Sequence, residues 1–189
     1  MKKLDKFEEL VEAFCKLPGI GKKSALRFAY YVGIENPFFG LNLSHSIQEA
    51  VSNLKKCLKC GGICENEICE ICADFERERD KICIVENAKD ILIFENNNIF
   101  KGLYFVLDDI NDDILMKLEN MIDENSVYEL IFAMTPSVNS DGIMLYIEEK
   151  FSGKNLKFSK IAQGIPTGVS VENVDMLSLM KALNGRVKI

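Results

Sequence analysis

The sequence predicts a multi-part α+β fold, and three observations carry that expectation. Two C-x-x-C pairs, Cys57 with Cys60 and Cys69 with Cys72, are separated by eight residues. Upstream of them, two stretches of helical periodicity flank the turn Leu17-Pro18-Gly19-Ile20-Gly21. Downstream, short apolar runs alternate with helical segments, the pattern of a mostly parallel α/β sheet. A chain of 189 residues can hold one medium domain, or two small ones with a metal module between them.

In the head of the chain, Leu4, Phe7, Leu10, Val11, Phe14 and Leu17 recur at helical spacing, predicting a first helix from about Leu4 to Lys16. A second runs from Lys22 to about Val32, with Ala25, Leu26, Phe28 and Ala29 inward. Helix, P-G-I-G, helix is the helix-hairpin-helix pattern. Gly19 and Gly21 let the chain turn tightly and bring backbone N–H groups at the second helix's start against a phosphate, while Ile20 plugs the gap between the helices. Lys22, Lys23 and Arg27 fall on the opening of the second helix, the last two on one face at i, i+4 spacing. Such contacts read the backbone of DNA and not its bases, so binding is expected to be non-specific and salt-dependent. The plainer alternative is a helical hairpin with solvated lysines. A third helix, near Leu43 to Lys56, is expected to turn Ile47, Ala50, Val51 and Leu54 inward, with His45 on the surface near its start.

The paired cysteines can wrap one tetrahedral ion, and Zn²⁺ is the expected occupant of four sulfur ligands in a reducing cell. The intervening loop, Gly61 to Ile68, has few apolar residues, so the metal is expected to hold it together. Four thiolates leave no open position for water, which makes the role structural. No signal peptide precedes the pairs, which argues against disulfides. Cys64 reads as a bystander, and Cys15 and Cys83, in apolar stretches, read as buried free thiols. No apolar run is long enough to span a bilayer. A soluble cytoplasmic protein without membrane partners is expected, and one histidine leaves few routes to His-dependent catalysis.

The net charge of −6 is unevenly distributed. Residues 1–56 carry +3, residues 57–72 carry −2 and residues 73–189 carry −7. A basic head on an acidic body suggests different partners for the two ends, the acidic part suiting a basic protein better than nucleic acid.

In that body the predicted strands are Ile82 to Val85, Leu103 to Leu107, Val127 to Phe132 and Leu156 to Ala162. Helices are predicted at Ala88 to Glu95, Ile114 to Ile122 and Asp141 to Phe151. The ligand edge of such a sheet lies beyond its strand C-termini, which collects Glu86, Asp108, Asp109, Thr135 and Ser137. A Glu after strand one, with an acid pair after the third, resembles the Toprim arrangement of topoisomerases and primases, where the Glu is acid/base and the Asp pair holds Mg²⁺. Here the third strand runs into Ala133-Met134-Thr135-Pro136-Ser137-Val138-Asn139. Both acid positions hold groups that bind Mg²⁺ poorly, and Asp141 comes late. The favoured expectation is a Toprim fold without turnover. A metal trapped by Glu86 with Asp108 or Asp109 would support the alternative, a Mg²⁺-dependent phosphoryl transferase or nuclease. The tail has a Gly/Pro turn from Gln163 to Val169, then Glu172, Asp175 and a helix over Met176 to Leu183. Acids after an apolar strand can imitate a Walker B site, but no G-x-x-x-x-G-K-[ST] exists to cradle ATP; a capping or subunit-contact role is expected.

In order, the motifs L-P-G-I-G-K-K-S-A-L-R, C-x2-C-x8-C-x2-C, I-C-I-V-E, Y-F-V-L, K-I-A-x-G-I-P-x-G and the terminal N-G-R-V-K-I resemble the RecR family of bacterial recombination mediators over nearly the whole chain. The resemblance implies an N-terminal helix-hairpin-helix domain, a four-cysteine zinc module, an α/β Toprim domain and a C-terminal helical segment with a Walker-B-like stretch. Their expected bounds are 1–56, 57–72, 80–162 and 163–189. It implies DNA-contacting residues at Lys23 and Arg27, and zinc ligands at Cys57, Cys60, Cys69 and Cys72. It also implies dimers or ring-like tetramers, and work with RecO and RecF in gap repair, loading RecA on SSB-covered single strands. Two departures stand out. Asp108 to Asp112 passes almost directly to a helix where the family has a longer Gly/Pro loop. The family's N-P-T-x-E-G-E reads T-P-S-V-N-S-D, with Asn139 for the first glutamate and Asp141 for the second. Both fall on the face the family is thought to offer to RecO.

Three roles follow: a non-catalytic mediator on DNA, a Toprim enzyme using Glu86, or a zinc-stabilised adaptor whose hairpin only builds an interface. Two cationic contacts per copy imply weak binding, so DNA binding is expected to need oligomerisation through both ends of the chain.

Overall fold

The computed structural model describes residues 5–185. Leu4 and the last four residues of the N-G-R-V-K-I motif lie outside them. The chain divides into two compact units, residues 1–54 and 55–189.

The first unit is helical, with α1 (Asp5–Cys15), α2 (Lys22–Tyr30), a π-helical turn (Tyr31–Glu35) and α3 (Pro37–Asn53). Val11 of α1 packs with Ala25 and Ala29 of α2, small residues that let the two helices approach closely. Phe7, Leu10, Phe14 and Ile20 close over them, Ile20 filling the place expected of it. α2 ends two residues early because the chain winds into the π turn, whose last carbonyl-bonded step is Asn36 N–H to Tyr31 O at 2.7 Å. α3 starts earlier than expected: Asn36 caps it by accepting from Phe39 N, and Pro37 sits at its first position, where a missing N–H costs nothing. His45 is therefore mid-helix, though exposed as expected. The inward face predicted for α3 is corrected. Ile47, Val51 and Leu54 are exposed, Val51 at 79%, and no residue of α3 is buried. Leu26 of α2 is likewise exposed, and so is Cys15, which ends α1 on the surface.

The second unit opens with a two-stranded ribbon, β1 (Lys55–Lys56) antiparallel to β2 (Ile63–Cys64), and a one-turn helix α4 (Glu70–Ala73). There follow β3 (Glu78–Val85), α5 (Ala88–Asn96), β4 (Gly102–Val106), α6 (Asp112–Asn125), β5 (Glu129–Ala133), α7 (Val138–Lys150) and β6 (Lys157–Lys160). β3 to β6 form one parallel sheet in the order β4-β3-β5-β6. Period-two alternation sorts its side chains between two faces. Ile82, Ile84, Leu103, Phe105, Leu130 and Phe132 point toward α6 and α7, where Leu115, Leu118, Met121, Ile147 and Phe151 meet them. Cys83, Val85, Tyr104 and Val106 point the other way, onto Ile91 and Phe94 of α5. Full burial of a residue such as Ile82 or Leu103 contributes roughly 1.5–3 kcal/mol. Beyond β6 the chain runs without regular structure to a 3₁₀ turn (Val171–Asn173) and α8 (Met176–Asn184), capped by Asp175, whose carboxylate accepts from Ser178 N at 2.9 Å.

Candidate metal centre, hairpin turn and acidic edge

The Sγ atoms of Cys57, Cys60, Cys69 and Cys72 all lie within 4.8 Å of one another, and all four residues are buried. Local structure sets this up. The chain leaves β1 into a turn closed by Gly61 N–H to Cys57 O at 2.9 Å and Cys57 N–H to Gly62 O at 2.7 Å. Gly61 holds φ +75, a left-handed conformation that a side chain would strain. Cys69 caps α4, bringing Cys72 back beside it. Backbone N–H groups of Cys69, Gly62 and Cys72 point at Cys57 Sγ, Cys60 Sγ and Cys69 Sγ at 3.3, 3.3 and 3.4 Å. Such donors stabilise sulfur in its thiolate form. Hydrogen bonds among the four thiols lower Cys57 and Cys69 and raise Cys60 and Cys72, the pattern of groups that cannot all ionise side by side on their own.

Four thiolates this close repel one another unless a cation shares them. Bonds of about 2.3 Å to one tetrahedral Zn²⁺ would set the sulfurs about 3.8 Å apart, and Cys60 and Cys69 Sγ are already 3.6 Å apart. The set suits one zinc ion in a closed, structural site. Cys64 stands aside, as expected: its thiol donates to Asn66 O at 2.8 Å.

In the hairpin, Gly19 turns the chain at φ +76 and Gly21 caps α2 with no side chain over the first turn. An added Cβ at either position would meet nothing within 4 Å. Lys22, Lys23 and Arg27 are exposed around this opening. Among the described residues no ion pair engages them, and Arg27 stacks on the Phe28 ring at 5.4 Å.

At the C-terminal edge of the sheet the acids are separately engaged. Glu86, after β3, accepts from the N–H and hydroxyl of Thr135, after β5, at 3.1 and 2.7 Å. Asp108, after β4, pairs with Lys56, which holds its carboxyl below the usual range. Asp109 accepts from Ile110 N and Asn111 Nδ2 in its own loop. Ser137 caps α7, and Asp141, in the first turn of that helix, faces Lys160 at 3.5 Å. Among the described residues the cysteines form the one cluster with metal-ligand spacing; Glu86, Asp108 and Asp109 do not make a second. In the tail, Glu172 lies in the 3₁₀ turn and Asp175 is the α8 cap, with no strand leading into either.

Two arginines carry structure that sequence patterns did not single out. Arg77 donates through both Nη atoms to Glu95 at 2.9 and 2.8 Å and through Nε to Gly102 O at 2.9 Å, while Tyr104 OH donates to the same Glu95 at 2.7 Å. Arg79 reaches Cys72 O at 3.3 Å, Asp74 O at 3.0 Å and Asn125 Oδ1 at 2.7 Å, tying the end of the cysteine module to α6. Charged residues flanking an apolar strand normally read as solvated, so no sequence signal marked them.

Comparison with known proteins accords with this geometry. A family model described as RecR, helix-hairpin-helix matches residues 7–51, and one described as the RecR zinc finger domain with four cysteines matches residues 54–74. A protein of Campylobacter jejuni named Recombination protein RecR is 53% identical over 189 residues, covering 100% of both chains. Proteins of the same name from a Nitratiruptor species and from Helicobacter pylori are 52% and 43% identical, over 99% and 98% of this chain and 98% and 96% of their own. The chain belongs to the RecR family.

Proposed function

From that membership, we propose that the chain is a non-catalytic recombination mediator of gap repair, helping to load RecA on SSB-coated single-stranded DNA. The observation that carries the reading is the open hairpin: an uncapped helix start beside Gly19 and Gly21, with Lys22, Lys23 and Arg27 exposed and free to meet phosphates. Backbone donors and point charges hold DNA of any sequence. Glu86, the residue a Toprim enzyme would use, is already bonded to Thr135, which speaks against phosphoryl transfer.

The mediator works as a dimer or ring-like tetramer. Phe38, Leu41 and Val51 of the first unit are 74%, 71% and 79% exposed, and Met176, Leu177 and Leu183 of α8 are 79%, 59% and 65% exposed. Apolar side chains in such number are what subunit contacts cover. The exposed acids Asp108 and Asp109, with Asp141, suit RecO, and RecF in turn, as basic partners.

Anisotropy of a labelled oligonucleotide across a salt series tests the DNA site. The double variant Lys23→Ala, Arg27→Ala should bind about tenfold or more weakly, with a slope of log K against log salt reduced by about 0.9 per lost duplex contact. Its mass in solution should match that of the wild type. An unchanged salt slope would mean that the hairpin is only an interface.

A further inference from the structure

β4 is an edge strand, and all five of its residues are buried. The N–H of Leu107 donates to Val85 O at 2.8 Å, so the backbone groups of 103, 105 and 107 face β3. Those of 102, 104 and 106 therefore face away from the sheet. An apolar strand with such a free side is a template for pairing with another chain.

The cysteine module occupies the C-terminal end of that side. Cys60 O accepts the outward N–H of Val106 at 2.8 Å, as a neighbouring strand would. A Cβ on Gly61 would lie 3.2 Å from Val106 Cβ, and one on Gly62 would lie 3.2 Å from Ile91 Cδ1 on α5. The four cysteines pack into the core on the α6 face, and Ile71 between the second pair packs against both cores. The module thus straddles the sheet margin. At the other end of β4, the Arg77 guanidinium takes up Gly102 O.

We propose that the zinc module is an edge guard for β4: the metal fixes the turn Cys57 to Gly62 so that Cys60 O and Gly61 close the outer side of the strand at its C-terminal end, at Val106. The module is then a fixed margin of the sheet, and its loss leaves β4 open to strand pairing while β3 and β5 stay joined.

Residue-resolved hydrogen exchange on the full chain tests this. Chelator-stripped protein should exchange the Val106 amide at least about tenfold faster than zinc-loaded protein, with Leu107 protected as before. Stripping can unfold the whole unit, so Gly61→Ala provides the second arm, pushing against Val106 while leaving every ligand in place. With zinc measured at one ion per chain, Gly61→Ala should speed exchange at Val106 and not at Leu107. Unchanged protection of Val106 in that variant, or equal acceleration at both amides, would overturn the proposal.

Discussion

Thr135 holds Glu86 across the C-terminal edge of the sheet, its backbone N–H and hydroxyl both donating to one carboxylate oxygen, at 3.1 and 2.7 Å. A metal-dependent Toprim site would put acids where Thr135 and Ser137 stand, with a cation joining them to the glutamate. Here a direct hydrogen bond joins the loops after β3 and β5, and Ser137 is occupied in capping α7. Mg²⁺ titrated into the protein should give no saturable heat, and DNA incubated with the two should stay uncut. Thr135→Val, which keeps the N–H, should cost about 0.5–1.5 kcal/mol in urea unfolding. Mg²⁺-dependent cleavage that Glu86→Gln removes would restore the enzyme reading.

The thiols outside the metal centre should separate sharply in reactivity. Burial between β3 and α5 pushes the Cys83 thiol up to about 12, so at pH 8 almost none of it is thiolate. Desolvation also raises Cys64, which donates to Asn66 O. Cys15 is exposed at the end of α1. Iodoacetamide on zinc-loaded protein should therefore alkylate Cys15 first, as read by peptide mass, and spare Cys83. Rapid modification of Cys83 would mean that β3 opens far more readily than its packing implies.

Cys15 also illustrates what the sequence could and could not convey. Its neighbours Phe14 and Leu17 are apolar, but Cys15 is the last residue of α1, one turn beyond Val11, and is exposed there, so nearness in sequence misled. α3 failed for a different reason. Ile47, Ala50, Val51 and Leu54 do keep helical spacing, yet the pattern cannot say whether the covering surface belongs to the same chain. Where the pattern and its partner lie close together, reading was direct. Ile82 and Ile84 alternate with Cys83 and Val85 between two cores, and the C-x-x-C spacing alone places the four thiols. Strand order was not legible, because side-chain periodicity fixes faces and not neighbours. The Cys60–Val106 bond depends on that order and was invisible with it.

The Arg77–Glu95–Tyr104 network makes stability depend on pH. Burial raises the Glu95 carboxyl, but hydrogen bonds from Arg77 and Tyr104 more than offset it and leave the group below its ordinary value. A carboxyl depressed in the folded state contributes stability above its unfolded pKa, about 4.3, and loses it as pH falls through the folded value. The Arg77 and Glu95 side chains are 14% and 29% exposed, so solvent screens the pair only in part. Glu95→Gln should cost about 2–3 kcal/mol at pH 7 by stranding a half-buried guanidinium. It should also flatten the loss of stability below about pH 4.3. Equal acid sensitivity in both proteins would place that dependence elsewhere.

Gly19 and Gly21 are separable by the reasons each has for being glycine. Gly19 needs its residue type for the fold: at φ +76 an alanine would cost roughly 1–2 kcal/mol in backbone strain. Gly21 does not. Its φ of −83 and ψ of 164 suit any residue, and an added Cβ would meet no atom of this chain within 4 Å. A requirement for glycine at that position must then come from something outside the chain that approaches the start of α2, and a DNA phosphate is what an uncapped helix start attracts. Gly19→Ala should lower both the stability of the helical unit and DNA affinity. Gly21→Ala should change stability by under about 1 kcal/mol and still weaken DNA binding several-fold in the anisotropy assay. Full affinity in Gly21→Ala would show that the phosphate does not come this close, leaving Lys22, Lys23 and Arg27 to act as charges at longer range.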